Sequence, residues 1–143
     1  MTDSAPDFIR TLAENYALLL TERLRAPPQE SLVIEAYDDL EDKGLVAESR
    51  VYDILTVGGP AAWRLVLAIV EALPDDEAIL SQFGVGVFEY PWCDEDKVFA
   101  VRAELEERLR IDAKLRTVVR ACWSDSETLD QICERIGLQR SGT

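Results

Sequence analysis

The feature that most constrains the fold is an apolar segment near the middle of the chain, which follows a Gly-Gly-Pro sequence. It begins around Trp63, and leucine, valine, alanine or isoleucine occupies every position from Leu65 to Val70. A helix that is apolar on most of its sides is a buried helix. We therefore expect residues 61–73 to form a central helix on which the rest of the chain packs.

The sequence on both sides of this segment has the periodicity of amphipathic helices. Ser4-Ala-Pro-Asp7 can cap and start a first helix, and Pro27-Pro28 must end it. Further helices are expected over about 29–43, 47–57, 77–83 and 94–110, then after Asp112, and from Ser126 to Gly137. The segment 84–92 is expected to be a loop with one short helical turn, because Pro91 limits a helix and no second strand is available for pairing.

This succession of helices with short connections predicts an all-α fold. At 143 residues the chain has the length of one domain and can bury a sizeable core. We expect residues 1–143 to form a single acidic domain, a compact bundle of about seven to eight short helices around the buried central one.

Sequence features also bear on the location of the protein. No apolar run approaches the roughly 18 residues that a membrane span requires, and the N-terminus lacks the basic and apolar regions of a signal peptide. The three cysteines, Cys93, Cys122 and Cys133, are odd in number and scattered, which disfavours a disulfide framework. We expect a cytoplasmic protein in which Cys122 and Cys133, with their apolar neighbours, belong to the core.

The charge of the chain is segregated. The net charge is −13, and residues 26–96 contain sixteen acidic residues against three basic ones, whereas the remainder contains twelve of each. Such a segment repels nucleic acid and anionic membranes and attracts basic protein partners. The alternative interpretation is a well-solvated acidic face with no partner.

The residue types argue against catalysis and metal binding. The chain has no histidine, which removes the commonest general base and the commonest metal ligand. The acidic cluster 38–42 lacks the spacing and central glycine of a calcium loop. Carboxylates flank Cys93 and would blunt the reactivity of its thiol, and Gly84-Val-Gly86 lacks the lysine of a phosphate loop. We expect no enzymatic activity, no metal and no cofactor, and a carboxylate-dependent enzyme is the least favoured class.

Four short motifs resemble those of a bacterial all-helical domain family of unknown function. They are Pro60-Ala-Ala-Trp63, Pro74-Asp-Asp-Glu77, Gly86-Val-Phe-Glu89 and Val119-Arg-Ala-Cys-Trp123, and the similarity covers roughly residues 51–137. The family has a proline and a tryptophan that open a helix, a central turn, and a closing tryptophan before a last amphipathic helix. This chain departs from the pattern at Val87, where the family tends to have proline, and at Pro91. The resemblance implies an all-helical fold and brings no established activity.

Large rings alternate with carboxylates between Phe88 and Asp96, a composition found at protein interfaces. The alternative is that Phe88 and Trp92 close the core beneath a loop. Together with acids elsewhere in the segment 35–96, this pattern gives a predicted set of partner-binding residues: Asp38, Asp39, Asp75, Asp76, Glu89, Tyr90, Trp92, Asp94 and Asp96.

Charge and aromatic content together favour an inhibitory binding protein of the immunity or antitoxin type. Such a protein masks a basic surface or active-site groove of a partner, for example a toxic enzyme, by electrostatic and aromatic contacts. A scaffold or accessory subunit of a bacterial assembly is the alternative from another class. A nucleic-acid mimic that acts on a DNA-binding protein would have the same physical features and a different target.

Overall fold

The computed structural model of the protein describes residues 4–25 and 47–140. These residues contain helices and no strand, and the predicted all-α fold is confirmed. In chain order the elements are α1 (Ser4–Arg25), α2 (47–57), α3 (Gly59–Ala72), α4 (Glu77–Gly84), a 3-10 helix (Val87–Cys93), α5 (Glu95–Ala100), α6 (Arg102–Ile111), α7 (Ala113–Ala121) and α8 (Glu127–Ile136). The helix predicted over about 29–43 lies outside the described residues. Within the described ranges, no helix combines the length and apolar character needed to cross a membrane.

Helix α3 is the central element, as predicted. It contacts α1, α5, α7 and the 3-10 helix, and its buried residues are Ala62, Trp63, Leu65, Val66, Ile69 and Val70. Gly58 and Gly59 both have positive φ angles, 74° and 82°, which lets the chain turn sharply from α2 into α3 without the steric cost of a side chain. Pro60 then occupies the first turn, where its missing N–H costs nothing.

A chain of aromatic rings runs through the core from α1 to α3. Tyr16 contacts Phe83 at 6.2 Å between ring centroids, and Phe83 contacts Phe88 at 5.6 Å. Phe88 contacts Trp92 at 5.4 Å, and Trp92 contacts Trp63 at 6.1 Å. The ring planes are tilted or perpendicular to one another, which is the geometry that aromatic pairs favour. The rings therefore tie four elements, α1, α4, the 3-10 helix and α3, to one another.

Helices α4 and α7 approach closely where α4 ends. A Cβ atom at Gly84 would collide with the carbonyl oxygen of Val118 and would lie 3.1 Å from the Cβ of Ala121. Because backbone atoms form the main obstacle, only glycine allows the two helices to pack at this distance. The 3-10 helix, which starts three residues later, is thereby held against the core.

Side-chain caps are present at three of the predicted helix starts. The side chain of Asp76 accepts a hydrogen bond from the Ala78 N–H at 3.0 Å, and Asp112 accepts one from the Leu115 N–H at 3.0 Å. Ser126 accepts one from the Leu129 N–H at 3.2 Å. Each of these side chains satisfies a backbone donor that the first turn of a helix leaves unpaired.

The prediction of one long helix over 94–110 is wrong. The chain forms two helices that are separated at Val101, whose φ and ψ of −106° and 11° are not helical. The Val101 N–H bonds three residues back, to the Val98 carbonyl at 3.1 Å. Arg102 stabilises the break, because its Nη1 donates to the Phe99 carbonyl at 2.7 Å and its guanidinium lies 3.6 Å from the centre of the Phe99 ring. The side chain thus supplies a donor to a carbonyl that a continuous helix would satisfy with a backbone N–H.

The segment 84–92 is more regular than expected. In place of a loop with one helical turn, residues Val87–Cys93 form a 3-10 helix that includes Pro91. Phe88 and Trp92 enter the core. Glu89 accepts a hydrogen bond from the loop between α7 and α8, and Tyr90 packs against Tyr52 on α2.

Candidate partner-binding site

The predicted site residues lie in two separate connections of the chain. Asp38 and Asp39 are outside the described residues. Asp75 and Asp76 are in the turn between α3 and α4, where Asp75 is exposed and Asp76 caps α4. The remaining five residues lie between positions 89 and 96, on the 3-10 helix and at the start of α5. The segment 89–96 is therefore the part of the prediction that the structure brings together.

Within that segment, Asp94 and Asp96 are exposed at the start of α5. Asp94 caps the helix by accepting a hydrogen bond from the Lys97 N–H at 3.3 Å, and its other carboxylate oxygen lies 3.9 Å from the Lys97 ammonium. Asp96 forms no ion pair with any residue that the structure describes. Both side chains add negative charge to the surface beside the 3-10 helix.

The expectation that Trp92 offers an exposed ring to a partner needs correction. Trp92 is only 5% exposed, and Phe88 is fully buried. Their rings pack between Phe83 and Trp63 in the core, because the 3-10 helix lies directly on α3 and α4. The alternative left open by the sequence, that these two rings close the core, is the one that the structure shows.

Tyr90 does reach the surface. Its ring and that of Tyr52 on α2 lie 5.0 Å apart, and each tyrosine is 38% exposed. A hydrogen bond with Tyr90 is the main cause that raises the pKa of the Tyr52 hydroxyl. The pair forms a small aromatic surface that joins α2 to the 3-10 helix.

A hollow of about 460 Å³ opens on the other side of the 3-10 helix, against the loop between α7 and α8. We call it the Trp123 hollow, and its lining residues are Glu89, Trp92, Cys93, Glu95, Trp123, Ser124, Asp125 and Ser126. Three of these residues are carboxylates, and none of the described lining residues is a lysine or an arginine. The hollow thus joins Glu89 from the predicted site to loop residues that the sequence did not assign to it.

Trp123 is exposed, although its backbone is firmly held. Its side chain is 69% exposed, whereas its backbone N–H donates to Glu89 Oε2 at 2.6 Å. Arg140 Nη1 donates to the carbonyl oxygens on both sides of Trp123, those of Cys122 at 3.2 Å and Ser124 at 2.9 Å. Elements distant in the sequence therefore fix the loop that presents the indole.

Arg140 is a buried charge that the sequence did not single out. It is 6% exposed, and its Nη2 donates to the carboxylate of Asp130 on α8. A buried guanidinium is tolerated only where its donors find acceptors, and here the acceptors include this carboxylate and the two loop carbonyls. Arg140 thereby connects the end of the described chain to α8 and to the loop of the Trp123 hollow.

Glu95 lies in the first turn of α5, and its side chain acts on a different helix. Its carboxylate accepts hydrogen bonds from the Glu127 N–H and the Thr128 N–H, both at 3.1 Å, and from the hydroxyls of Thr128 and Ser126. Glu95 therefore caps α8, more than thirty residues away in the sequence. The hydrogen bond from the Thr128 hydroxyl, followed by those from the other donors, lowers the pKa of Glu95 below its ordinary value of 4.5.

A Glu95→Gln variant tests this long-range cap. A carboxylate with a lowered pKa stabilises the fold above its unfolded-state pKa, and the contribution is lost as the pH falls through the folded-state value. We expect the variant to lose about 1 kcal/mol at pH 7 and to show a shallower loss of stability below pH 4.5 than the wild type. The measurement is urea unfolding between pH 7 and pH 3.

The matched control for that series is Glu127→Gln, which removes the same charge from the same helix terminus. No hydrogen bond to the Glu127 side chain is present among the described residues, so we expect a change of only a few tenths of a kcal/mol. Equal losses for the two variants would contradict the cap and leave only a general effect of charge.

The cysteines fall into two groups. Cys122 and Cys133 are buried, as predicted, and burial raises the pKa of both thiols, that of Cys122 to about 12. Cys93 is exposed and lines the Trp123 hollow. All three thiols are free, so Cys93 is a selective position for chemical labelling in the hollow.

The charge segregation seen in the sequence persists in the ion pairs. In the charge-balanced C-terminal part, Glu106 pairs with Arg110 at 2.8 Å and with Arg135 at 2.7 Å. In the acidic segment, Glu48 pairs with Arg23. By contrast, seven acids of this segment form no ion pair with any described residue: Asp53, Glu71, Asp75, Glu77, Glu89, Glu95 and Asp96. Within the part of the chain that the structure describes, no ion pair within 4 Å neutralises these carboxylates, and their charge contributes to the field of the acidic segment.

Two other features of the molecule resemble binding sites less closely. A groove of about 720 Å³ between α1 and α3 has the charges of Arg10, Arg64, Glu14 and Glu71 among its lining, so it favours neither sign of charge. Among the residues that the structure covers, no group of three or more acidic or cysteine side chains is placed to hold a metal ion. The acidic cluster 38–42 lies outside those residues.

Comparisons of this chain with protein-family models, with curated proteins and with solved structures find no match. The resemblance based on the four short motifs remains a prediction. Any functional conclusion must accordingly be drawn from the residues themselves.

Proposed function

We propose that the protein is an inhibitory binding protein of the immunity or antitoxin type, which masks a basic surface or active-site groove of a partner protein. The observation that carries the proposal is the uncompensated acidic segment, in which exposed carboxylates such as Asp75 and Asp96 have no ion-pair partner among the described residues. The proposed partner is a protein such as a toxic enzyme, and the proposed compartment is a reducing cytoplasm, consistent with three free cysteines.

Charge of one sign that is gathered in one segment gives a specific kinetic behaviour. It accelerates encounter with a cationic surface, and the acceleration weakens as salt screens charges beyond about 8–10 Å. The same charge repels nucleic acid and anionic membranes, which are therefore not proposed as ligands. Fast, salt-sensitive capture is what a protein needs if it must neutralise a harmful enzyme before the enzyme acts.

The aromatic part of the proposal rests on Tyr90 and Trp123 rather than on Trp92. Tyr90 pairs with Tyr52 on one side of the 3-10 helix, and Trp123 is exposed on the other side, next to Glu89. Rings at an acidic surface supply contact area where carboxylates supply steering. The structure thus supports a mixed acidic and aromatic surface around the 3-10 helix.

The proposal is tested by the kinetics of binding to the purified partner, for which the product of the neighbouring reading frame is the first candidate. The test variant neutralises four exposed acids of the segment that form no ion pair: Asp53→Asn, Glu71→Gln, Asp75→Asn and Asp96→Asn. We expect association to slow by about tenfold at low salt and to depend less on salt than in the wild type, with dissociation nearly unchanged. Stopped-flow measurements at two salt concentrations give both rates.

The control variant removes the same number of charges from exposed acids in the balanced region: Glu104→Gln, Glu107→Gln, Glu127→Gln and Glu134→Gln. We expect a much smaller effect on association, because that region has cations of its own. Equal effects of the two variants on the association rate would show that only the net charge of the protein matters, and not the position of the acids. That result would contradict the proposal. Affinity that does not respond to salt would contradict it too, and would favour a scaffold or accessory subunit.

A further inference from the structure

We infer that the Trp123 hollow is a binding site for one arginine side chain of the partner protein. The inference rests on the proposed function, and it names the group that this part of the surface recognises. It concerns the hollow between the 3-10 helix and the α7–α8 loop, whereas the proposed function concerns the charge of the whole acidic segment.

The first step is the exposed indole. Trp63 and Trp92 are 6% and 5% exposed, whereas Trp123 is 69% exposed. Solvent exposure of so large an apolar ring is unfavourable, and yet the backbone on both sides of Trp123 is fixed by Arg140 and its own N–H by Glu89. The backbone that presents the indole is therefore fixed, so that only the side-chain torsions of Trp123 must be ordered when a ligand stacks on the ring.

The second step is the charge beside the indole. Glu89 uses Oε2 to hold the loop, and no described residue bonds to its Oε1. Asp125 is exposed in the same hollow and has no hydrogen bond or ion pair with the described residues. Glu95 is occupied by the cap of α8 and adds only its charge. A cation that stacks on Trp123 therefore meets carboxylate oxygens that have no partner of their own.

Arginine fits this arrangement better than other cations. A guanidinium is planar, stacks on an indole face, carries donors suited to carboxylates, and is less strongly hydrated than an ammonium. A calcium ion would require six to eight oxygen ligands, and in this hollow the Glu95 carboxylate and one oxygen of Glu89 are already occupied. The arrangement thus favours a flat organic cation.

The partner in the proposed function is a protein, so the cation is the arginine side chain of a polypeptide and not a free ion.

The test uses the whole protein and a defined probe, the peptide acetyl-Gly-Arg-Gly-amide. The three tryptophans give three indole N–H signals in a ¹H–¹⁵N spectrum, which report on the hollow and the core separately. We expect the Trp123 signal to shift saturably, with a dissociation constant of about 1 mM, a value usual for a single anchoring side chain. The same peptide with neutral citrulline in place of arginine is the matched probe and should leave the signal unchanged, and the lysine peptide should bind more weakly.

Variants locate the site independently of the spectrum. The arginine peptide should slow the reaction of Cys93 with a thiol reagent in the wild type and in the control Ile111→Ala, which shortens another exposed apolar side chain, 72% exposed on α6. The arginine peptide should not slow this reaction in Trp123→Ala. In Asp125→Asn, the dissociation constant of the arginine peptide should rise about threefold or more. Circular dichroism of each variant checks that the fold is retained.

Each outcome decides the matter. A Trp123 signal that does not respond to the arginine peptide, or responds equally to the citrulline or lysine peptide, overturns the inference. The proposed function is judged separately, by the salt dependence of partner binding in the two fourfold charge variants, both of which leave Trp123 and Asp125 intact. Salt-sensitive partner binding that Trp123→Ala leaves unaffected would retain the proposed function and reject the arginine site.

Discussion

The substitution Trp63→Ala is expected to lower the free energy of unfolding by about 3–5 kcal/mol. Trp63 is 6% exposed on the central helix, and its ring contacts that of Trp92 at the end of the aromatic chain. Removing the indole leaves a cavity that the surrounding helices can fill only partly, because α3 is fixed by α1, α5, α7 and the 3-10 helix at once. Urea unfolding followed by far-UV circular dichroism measures the loss.

The matched control is Trp123→Ala, which removes the same side chain from a position where it is 69% exposed. We expect a change within about 0.5 kcal/mol, as is usual for surface substitutions. A loss below about 1 kcal/mol for Trp63→Ala would show that α3 is not the stabilising centre of the bundle. A large loss for Trp123→Ala would show that this ring has a structural role, and would weaken the case for the hollow as a binding site.

Local sequence signals predicted much of the fold, because they act over a few residues. The apolar stretch of α3 identified the buried central helix, and the short polar side chains of Asp76, Asp112 and Ser126 marked the starts of helices. The apolar neighbours of Cys122 and Cys133 correctly placed both thiols in the core. In each case the energy involved depends on the spacing of nearby residues, which the sequence displays directly.

The features that the sequence did not predict depend on contacts between distant residues. The carboxylate of Glu95 lies next to the helix that it starts, so its use as a cap for α8 became visible only when Thr128 was placed beside it. The break at Val101 likewise depends on an interaction of Arg102 that helical periodicity does not reveal. Periodicity reports which face of a helix is apolar, and not where two helices meet.

The candidate site shows the same division. The alternation of rings and acids predicted a partner-binding surface in the segment 88–96. It could not tell which rings point inward, because that depends on how the 3-10 helix packs on α3 and α4. Trp92 lies in the core, and the exposed tryptophan, Trp123, comes from a loop 31 residues later. The resulting surface combines one predicted acid, Glu89, with Trp123, which only the tertiary fold brings next to it.

The substitution Arg140→Ala is expected to lower the free energy of unfolding by about 2–4 kcal/mol. It removes the donor of the Cys122 and Ser124 carbonyls and the partner of Asp130. Hydrogen bonds to a charged group contribute more than neutral ones, and the buried carbonyl of Cys122 would have no water to replace the guanidinium. Arg140→Lys should recover only part of the loss, because an ammonium cannot reproduce the fork that serves the carbonyls and the carboxylate together.

The matched control is Arg135→Ala on the same helix as Asp130, which removes an arginine whose side chain is 52% exposed and paired with Glu106. An exposed ion pair contributes little, so we expect a loss of about 0.2–1 kcal/mol. Because Arg140 also holds the loop, the Arg140→Lys protein should bind the arginine peptide more weakly even at temperatures where it remains folded. Equal stability losses for Arg140→Ala and Arg135→Ala would mean that the buried guanidinium does not anchor the loop, and the fixed backbone of Trp123 would then need another explanation.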